Sequence, residues 1–275
     1  MNIRYIKLVA ALAAAVPFAF MYDGVYTLIA YAIAFLISLL AVNILFWLFI
    51  ILMAFISGFN PKNKKNSRFY GFLLNTAIIE VIKLARIKVV VTGKEKLPSE
   101  PYLLVCNHRS NFDNFIITSV IRDPYLVFIS KPSNFKIPFA GRIIKRCGYL
   151  AIDRENPRNA LKTIHASADL VKDDKMSVGV FPEGTRGHSE GVAPFSEGCF
   201  LVAKKAACPV VVASLRGSDD IRGRFPRKTT VYLDFVAVID GEEAKAKRSG
   251  ELSAVAYELI NNSYLGKNAL PSSEK

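Results

Sequence analysis

The sequence predicts an α/β domain, with a mainly parallel central sheet flanked by helices, behind an N-terminal membrane helical hairpin. Three observations carry that reading. From residue 87 onward, short runs rich in β-branched and aromatic residues alternate with longer runs of helical periodicity, the pattern of a parallel sheet. Two polar, motif-like segments each follow directly on such a short run, at the strand ends where open α/β sheets bind their ligands. The apolar residues that raise the composition to 52% are concentrated in the first sixty positions.

Residues 8–22 are apolar except for Pro17, Asp23-Gly24 interrupts, and residues 25–59 continue for 35 positions without a charge. A membrane span needs about 20 apolar residues. Trp47 falls about one span length after Val25, so residues 48–59 are expected to lie along the surface. Arg4 and Lys7 precede the apolar region, and Lys62, Lys64, Lys65 and Arg68 follow it. The positive-inside tendency puts both flanks in the cytoplasm, which predicts a hairpin turning near Asp23-Gly24, fully spanning or shallowly inserted. A cleaved signal peptide is the rival reading, given Ala13-Ala14-Ala15 behind a basic start, but a second, longer apolar run follows at once. The expected organisation is a membrane anchor over 1–60 and an α/β domain over 61–275, held at the cell membrane on its cytoplasmic face.

Within the second part, a helix is predicted over 67–87. Strands are predicted over 87–92, 102–106, 125–130, 149–153, 177–181, 210–215 and 231–238. Helices are predicted over 111–121, 157–172, 196–207 and 250–264, and the tail after Lys267 reads as unstructured. The net charge of +13 points to anionic partners such as a membrane surface or an acidic substrate. No zinc-finger spacing or aromatic nucleic-acid motif occurs, so no nucleic acid partner is expected. Cys106, Cys147, Cys199 and Cys208 form no CxxC pair and lie in or beside apolar runs. They are expected to be buried free thiols in a reducing compartment, with no metal site.

The first polar segment is Asn107-His108-Arg109-Ser110-Asn111-Phe112-Asp113. His108 stands on the loop after a predicted strand, and Ser110 and Asp113 form an S-x-x-D capping pattern ahead of the helix over 111–121. The five-residue offset lets Asp113 reach one imidazole nitrogen and orient the ring as it takes a proton. Read alone, the pair is equally a helix-start aspartate beside a polar loop histidine. His165 reads as a surface residue of an amphipathic helix, and His188 as a solvated loop residue.

The second segment is Phe181-Pro182-Glu183-Gly184-Thr185-Arg186-Gly187. Its glycines allow backbone N–H groups to approach an anion, Thr185 adds a hydroxyl, and Arg186 can hold a phosphate through two parallel hydrogen bonds. The plainer alternative is an ordinary turn with a surface arginine. Lys131 and Arg154 also follow predicted strands, either as solvated charges or as further members of the same anion site.

Asn107-His108-x-Ser110-x-x-Asp113, the Gly148–Arg154 block and Phe181-Pro182-Glu183-Gly184-Thr185-Arg186 together resemble the first three motifs of the glycerolipid acyltransferases, in that family's order and spacing. The resemblance covers roughly residues 85 to 240 and is strongest to the lysophosphatidic acid acyltransferase branch. It implies transfer of a fatty acyl group from a thioester to a lipid hydroxyl, most specifically the sn-2 hydroxyl of lysophosphatidic acid. No cofactor is implied, because the donor, acyl-carrier protein or coenzyme A thioester, is a substrate. It casts His108 and Asp113 as catalytic, Arg186, Arg154, Lys131, Thr185 and Gly184 as the phosphate site, and Glu183 and Ser110 as positioning the acceptor. The phospholipid bilayer supplies that acceptor.

Two departures bear on the acceptor. Cys208-Pro209-Val210-Val211-Val212 has Val212 where a second proline is common, and Phe195-Ser196-Glu197-Gly198 has Ser196 where a lysine is frequent. Other acceptors (a different lysophospholipid, a lyso-aminolipid or glycerol-3-phosphate) and a non-catalytic lipid-binding role stay open at this point. An acyl-cysteine on Cys106 is weighed against a packing role for a residue ending an apolar strand, and packing is expected.

Overall fold

The computed structural model describes residues 3–17, 24–58, 66–187 and 191–266. The turn of the expected hairpin at Asp23, the basic flank Lys62 to Lys65, His188 and the tail after Lys267 lie outside the described residues. The chain divides into two compact units, Met1–Lys62 and Asn63–Lys275.

In the first unit, α1 (Ile3–Ala15) packs along α2 (Val25–Ser57). Lys7, Ala11 and Ala15 recur at helical spacing and are buried, forming the face of α1 turned to its neighbour. Lys7 Nζ donates to Asn43 Oδ1 at 3.1 Å and sits 3.8 Å above the Phe46 ring. α2 runs without a break through Trp47 to Ser57, so residues 48–57 continue the helix rather than forming a separate surface segment. The apolar run contains no helix breaker, and its 33 residues span about 50 Å. α2 is the one helix among the described residues long and apolar enough to cross a membrane. Many of its leucines and isoleucines face outward, as with Leu28, Leu36, Ile37, Leu40 and Leu45. Such an all-round apolar helix suits lipid better than water.

The second unit begins with α3 (Arg68–Leu84) and continues through β1 (Ile87–Thr92), β2 (Leu103–Cys106), α4 (Asp113–Ile121), β3 (Leu126–Ser130), α5 (Ala140–Cys147), β4 (Leu150–Ala151), α6 (Pro157–Lys172) and β5 (Ser177–Val180). It ends with α7 (Leu201–Ala206), β6 (Val210–Arg216), α8 (Ile221–Arg224), β7 (Thr229–Ile239), α9 (Gly241–Ala246) and α10 (Ser249–Tyr264). The sheet order is β1-β7-β6-β2-β5-β3-β4. Only the β6–β7 pairing is antiparallel. The five strands β6, β2, β5, β3 and β4 therefore run the same way and share one carboxyl edge. β2 and β5 are buried along their whole length, which explains their uninterrupted apolar sequences. One group of helices, α3 to α5, packs together, as does a second built from α6, α7 and α9, while α10 packs against β6, β7 and the segment Glu197–Phe200.

Several boundaries differ from the sequence expectation. The strand expected over 149–153 shortens to the two-residue edge strand β4, and the helix over 196–207 divides into a 3-10 turn (Glu197–Phe200) and α7. α5 was not expected. It has eight residues, follows Pro138 and carries Gly141 at its second position, a composition that masks its periodicity.

Candidate functional site

Asn107, the first residue after β2, is fully buried and clamps that strand's exit to β6. Its Nδ2 donates to the Leu215 carbonyl, and the Leu215 N–H donates to its Oδ1, each at 2.8 Å. The chain therefore leaves β2 along a fixed path, and His108 comes next. His108 Nδ1 lies 2.8 Å from Asp113 Oδ2, with the Asp113 side chain fully buried and that of His108 21% exposed. The same Asp113 oxygen accepts the backbone N–H of Arg109 at 2.6 Å and of Ser110 at 2.7 Å.

The local hydrogen bonding keeps the expected S-x-x-D pattern, with Asp113 accepting the Ser110 N–H and Ser110 Oγ accepting the Phe112 N–H, and differs only in where regular helix begins. α4 starts at Asp113 rather than at Asn111, and Phe112, its flanking residue, supplies no side-chain cap. The carboxylate reaches back over the preceding loop, while Ser110 Oγ accepts only the Phe112 N–H, at 3.3 Å. A carboxylate at the positive end of a helix, holding two backbone N–H groups, is a rigid support for an imidazole. An ionised carboxylate can only accept, so Nδ1 carries the proton and Nε2 is left with its lone pair for a second partner.

β5 is the neighbour of β2, and it delivers the second segment beside the first. The Phe181 ring stacks on His108 with centroids 4.3 Å apart and planes at 16°, and on its other side stacks on Phe128 at 5.7 Å. The Gly184 N–H closes a turn onto the Phe181 carbonyl, with φ +70° at Gly184, a conformation that favours glycine. Two hydrogen bonds then latch the segments together. The His108 N–H donates to Glu183 Oε1 at 2.6 Å, and the Gly187 N–H donates to the His108 carbonyl at 2.9 Å. A Cβ on Gly187 would stand 3.0 Å from Glu183 Oε2 and 3.2 Å from Arg109 Nη1, so the approach depends on glycine.

Both oxygens of Glu183 are engaged by backbone, Oε2 accepting the Ala193 N–H at 3.1 Å. Burial pushes its pKa up, and the two N–H groups offset part of that. Glu183 thus holds the loop carrying His108, each of its oxygens accepting one backbone N–H. Ser110, the other residue expected to position an acceptor, accepts the Phe112 N–H through Oγ and keeps its O–H as a donor.

The residues expected to hold phosphate are differently placed. Thr185 and Arg186 stand exposed on the loop after β5, Lys131 is exposed after β3, and Arg154 is exposed after β4. The strand order sets Arg186 one strand from that of His108, Lys131 two and Arg154 three, all on the shared carboxyl edge. Among the described residues, no hydrogen bond or ion pair joins these three to the His108–Asp113 pair or to one another.

Arg109 is a site residue that motif spacing did not reveal. Its side chain is 9% exposed, its Nη2 meets Asp219 Oδ2 at 3.2 Å, its Nη1 donates to the Gly191 carbonyl at 3.3 Å, and its guanidinium lies 5.4 Å from the Tyr264 ring centre. It ties the histidine loop to the far end of the chain, and its acidic partner lies 110 positions away. Cys106 is buried beneath the site, and burial, followed by the nearby Asp113 and Glu183 carboxylates, pushes its thiol pKa well up. That environment opposes a thiolate nucleophile and fits packing. All four cysteines are free and buried. His165 is half-buried rather than on the open surface, with Nε2 3.0 Å from Lys205 Nζ. Val212 is fully buried in β6, paired with Val105 and Ala237, and so does not face a substrate. Ser196 is exposed, and its N–H donates to the Pro182 carbonyl at 2.8 Å, next to the second segment.

The chain is similar in sequence and in fold to known proteins. Residues 88–216 match a family model described as Acyltransferase. A 1-acyl-sn-glycerol-3-phosphate acyltransferase from Salmonella typhimurium is 29% identical over 206 residues, 74% of this chain and 81% of its own length. A protein with that activity in its name from Chlamydomonas reinhardtii is 38% identical over 136 residues, 49% of this chain and 40% of its own. The 1-acyl-sn-glycerol-3-phosphate acyltransferase alpha of Ovis aries is 29% identical over 202 residues, 73% of this chain and 68% of its own. The crystal structure of a 1-acyl-sn-glycerophosphate acyltransferase, PlsC, from Thermotoga maritima shares the fold, with a TM-score of 0.59 and 21% identity over 82% of this chain and 89% of that one. The matched segment contains both polar segments and all five strands of the shared carboxyl edge, and over these residues the chain is an acyltransferase domain similar to those of these O-acyltransferases.

Proposed function

We propose that the protein transfers a fatty acyl group from an acyl thioester to the sn-2 hydroxyl of lysophosphatidic acid, giving phosphatidic acid. The observation that carries this reading is the His108–Asp113 pair, with Nδ1 held at 2.8 Å by a buried carboxylate on the edge that also bears Arg186. The names of the relatives in bacteria and in animals support this acceptor over the others.

In this mechanism His108 Nε2 takes the proton of the acceptor hydroxyl as its oxygen attacks the thioester carbonyl carbon. Asp113 keeps the ring oriented and balances the imidazolium charge. Collapse of the tetrahedral intermediate breaks the C–S bond, and the imidazolium proton passes to the departing thiolate. No enzyme nucleophile is required, consistent with the buried thiol of Cys106. Arg186, with Lys131 and Arg154 further along the edge, holds the acceptor phosphate, and Thr185 and the open Gly184 turn allow its close approach. The Gly184 N–H is already engaged with Phe181, which makes it a poor donor to the oxyanion. The donor is an acyl-carrier protein or coenzyme A thioester, both anionic, which suits the +13 charge. The long apolar helix α2 holds the enzyme at the cell membrane, with the α/β unit on the cytoplasmic side, where both donors are found.

The test is acyl transfer by the full-length protein in phospholipid vesicles, with lysophosphatidic acid, other lysophospholipids and glycerol-3-phosphate each offered with both donor types. Phosphatidic acid formed faster than any other product is the expected result. Preferred turnover of an acceptor lacking a phosphomonoester overturns the acceptor assignment, and binding without turnover on any thioester overturns the reaction.

A further inference from the structure

Between β3 and β4 the chain makes an unusual surface. The 29 positions from Pro124 to Ile152 contain no aspartate or glutamate but five cations, Lys131, Lys136, Arg142, Lys145 and Arg146. In the middle, Ile137, Pro138, Phe139 and Ala140 are four consecutive exposed apolar residues, with Ile137 at 50% and Phe139 at 44% exposure. Isolated apolar side chains are normal on a soluble surface, but a consecutive run ringed by one sign of charge is not. Phe139 adopts φ +60° and ψ −57°, a region that L side chains rarely enter, and its carbonyl accepts the N–H of Ile143 and Arg142 as α5 begins. The fold thus holds an aromatic ring outward at a conformational cost, where a glycine would have served the turn.

We propose that residues 136–145 form a bilayer-contacting surface of the α/β domain, inserting Ile137 and Phe139 at the headgroup boundary while Lys136, Arg142 and Lys145 meet anionic lipid headgroups. The charge pattern favours a lipid surface over an apolar protein partner: short apolar insertion flanked by exposed cations is the chemistry of interfacial membrane contact. The position favours it too. The segment leaves the carboxyl end of β3, and His108 leaves that of β2, with β5 alone between them. Two strand spacings amount to about 10 Å. A bilayer held at this surface brings a lipid acceptor to the edge where the hydroxyl must react. The proposal rests on the reading that the enzyme works on a membrane lipid, and it assigns the α/β domain its own lipid contact in addition to the apolar helices.

The single tryptophan of the chain, Trp47 in α2, provides an internal reference. A Phe139→Trp reporter is built in a Trp47→Phe background, with Leu161→Trp on the exposed face of α6 as its control. Each full-length protein is bound to vesicles of phosphatidylcholine and phosphatidylglycerol in equal parts, with and without brominated acyl chains. The Phe139→Trp emission is expected to shift to the blue and to lose roughly half its intensity on brominated vesicles, while the Leu161→Trp emission does not change. Adding Lys136→Gln and Lys145→Gln, or omitting phosphatidylglycerol, is expected to weaken the quenching. If wild-type Trp47 is quenched but the Phe139→Trp reporter is not, the surface is overturned and the membrane reading stands. If neither is quenched, the membrane reading fails and the surface with it. A blue shift that appears without vesicles and grows with protein concentration overturns the proposal in favour of a second copy covering the patch.

Discussion

The two ends of the site are built on opposite principles. Around His108, every group is tied down: Asp113 is buried with three donors on one oxygen, Glu183 grips the His108 backbone, Phe181 stacks on the ring, and Arg109 anchors the loop. Around Arg186, Lys131 and Arg154, the side chains stand exposed without a hydrogen bond or ion pair among the described residues. Proton transfer tolerates little misplacement, so its groups are preorganised, and the ordering entropy is met when the protein folds. Under the proposed function, the acceptor phosphate is gathered by exposed cations that order on binding. The difference predicts that substitutions at the first end act on turnover and those at the second on substrate affinity.

The largest effect is expected at the pair itself. His108→Ala should lower turnover by about 10³- to 10⁴-fold with a smaller loss of thermal midpoint than Asp113→Asn, since Asp113 keeps the Arg109 and Ser110 N–H groups. Asp113→Asn should cost about 10²- to 10³-fold in turnover and also lower stability, because an amide nitrogen can face the Arg109 and Ser110 N–H groups with no acceptor. Initial-rate assays and thermal melts check both. Equal loss of stability in the two variants would break the division of labour between base and support.

Next come the residues that hold the histidine loop without reaching a substrate. Gly187→Ala places a methyl 3.0 Å from Glu183 Oε2, and should reduce turnover by about 10- to 100-fold at nearly constant acceptor KM. Glu183 adds a pH signature. Its pKa is raised in the folded protein above the ordinary 4.5, so the folded state binds this proton more tightly than the unfolded state. Its contribution to stability is then fully present below pH 4.5 and declines as pH rises through the raised folded value. Glu183→Gln removes that slope, so the thermal midpoint of the variant relative to wild type should rise across this window. A constant difference across the window would show that Glu183 is not desolvated as the geometry implies.

Local sequence carried one end of the site better than the other. His108 and Asp113 were legible because their partnership is five residues long, and the Gly184 turn because glycine reports a positive φ directly. The parallel sheet was legible because β2, β5 and β6 are buried on both faces and keep continuous apolar runs. The Asn107 clamp on Leu215 and the Arg109 pair with Asp219 were not, since both join residues more than a hundred positions apart. The S-x-x-D cap was legible and is formed, but α4 starts two residues later than expected because Asn111 and Phe112 form the turn that brings the Asp113 carboxylate back over the histidine loop. Val212 drew notice as a departure in sequence, yet β6 buries it in the sheet. The departure at Ser196 lies beside Pro182 and remains connected to the site.

The smallest effects are expected at the exposed cations, and their ranking sharpens the comparison. Arg186 follows the strand next to that of His108 and carries the planar fork that matches a phosphate, so Arg186→Ala should raise the acceptor KM by about 10-fold with turnover nearly kept. Lys131 is one strand further out and presents a single point charge, and Lys131→Ala should raise KM by only about two- to threefold. Arg186→Lys separates charge from geometry. If it recovers most of the affinity, the second end is a diffuse cationic field. If it behaves like Arg186→Ala, Arg186 forms a defined bidentate site, and the exposed end of the pocket becomes as directional on substrate binding as the buried end is before it. Raising the ionic strength should weaken the wild-type advantage over Lys131→Ala first, because a solvated point charge is screened more readily than a paired guanidinium.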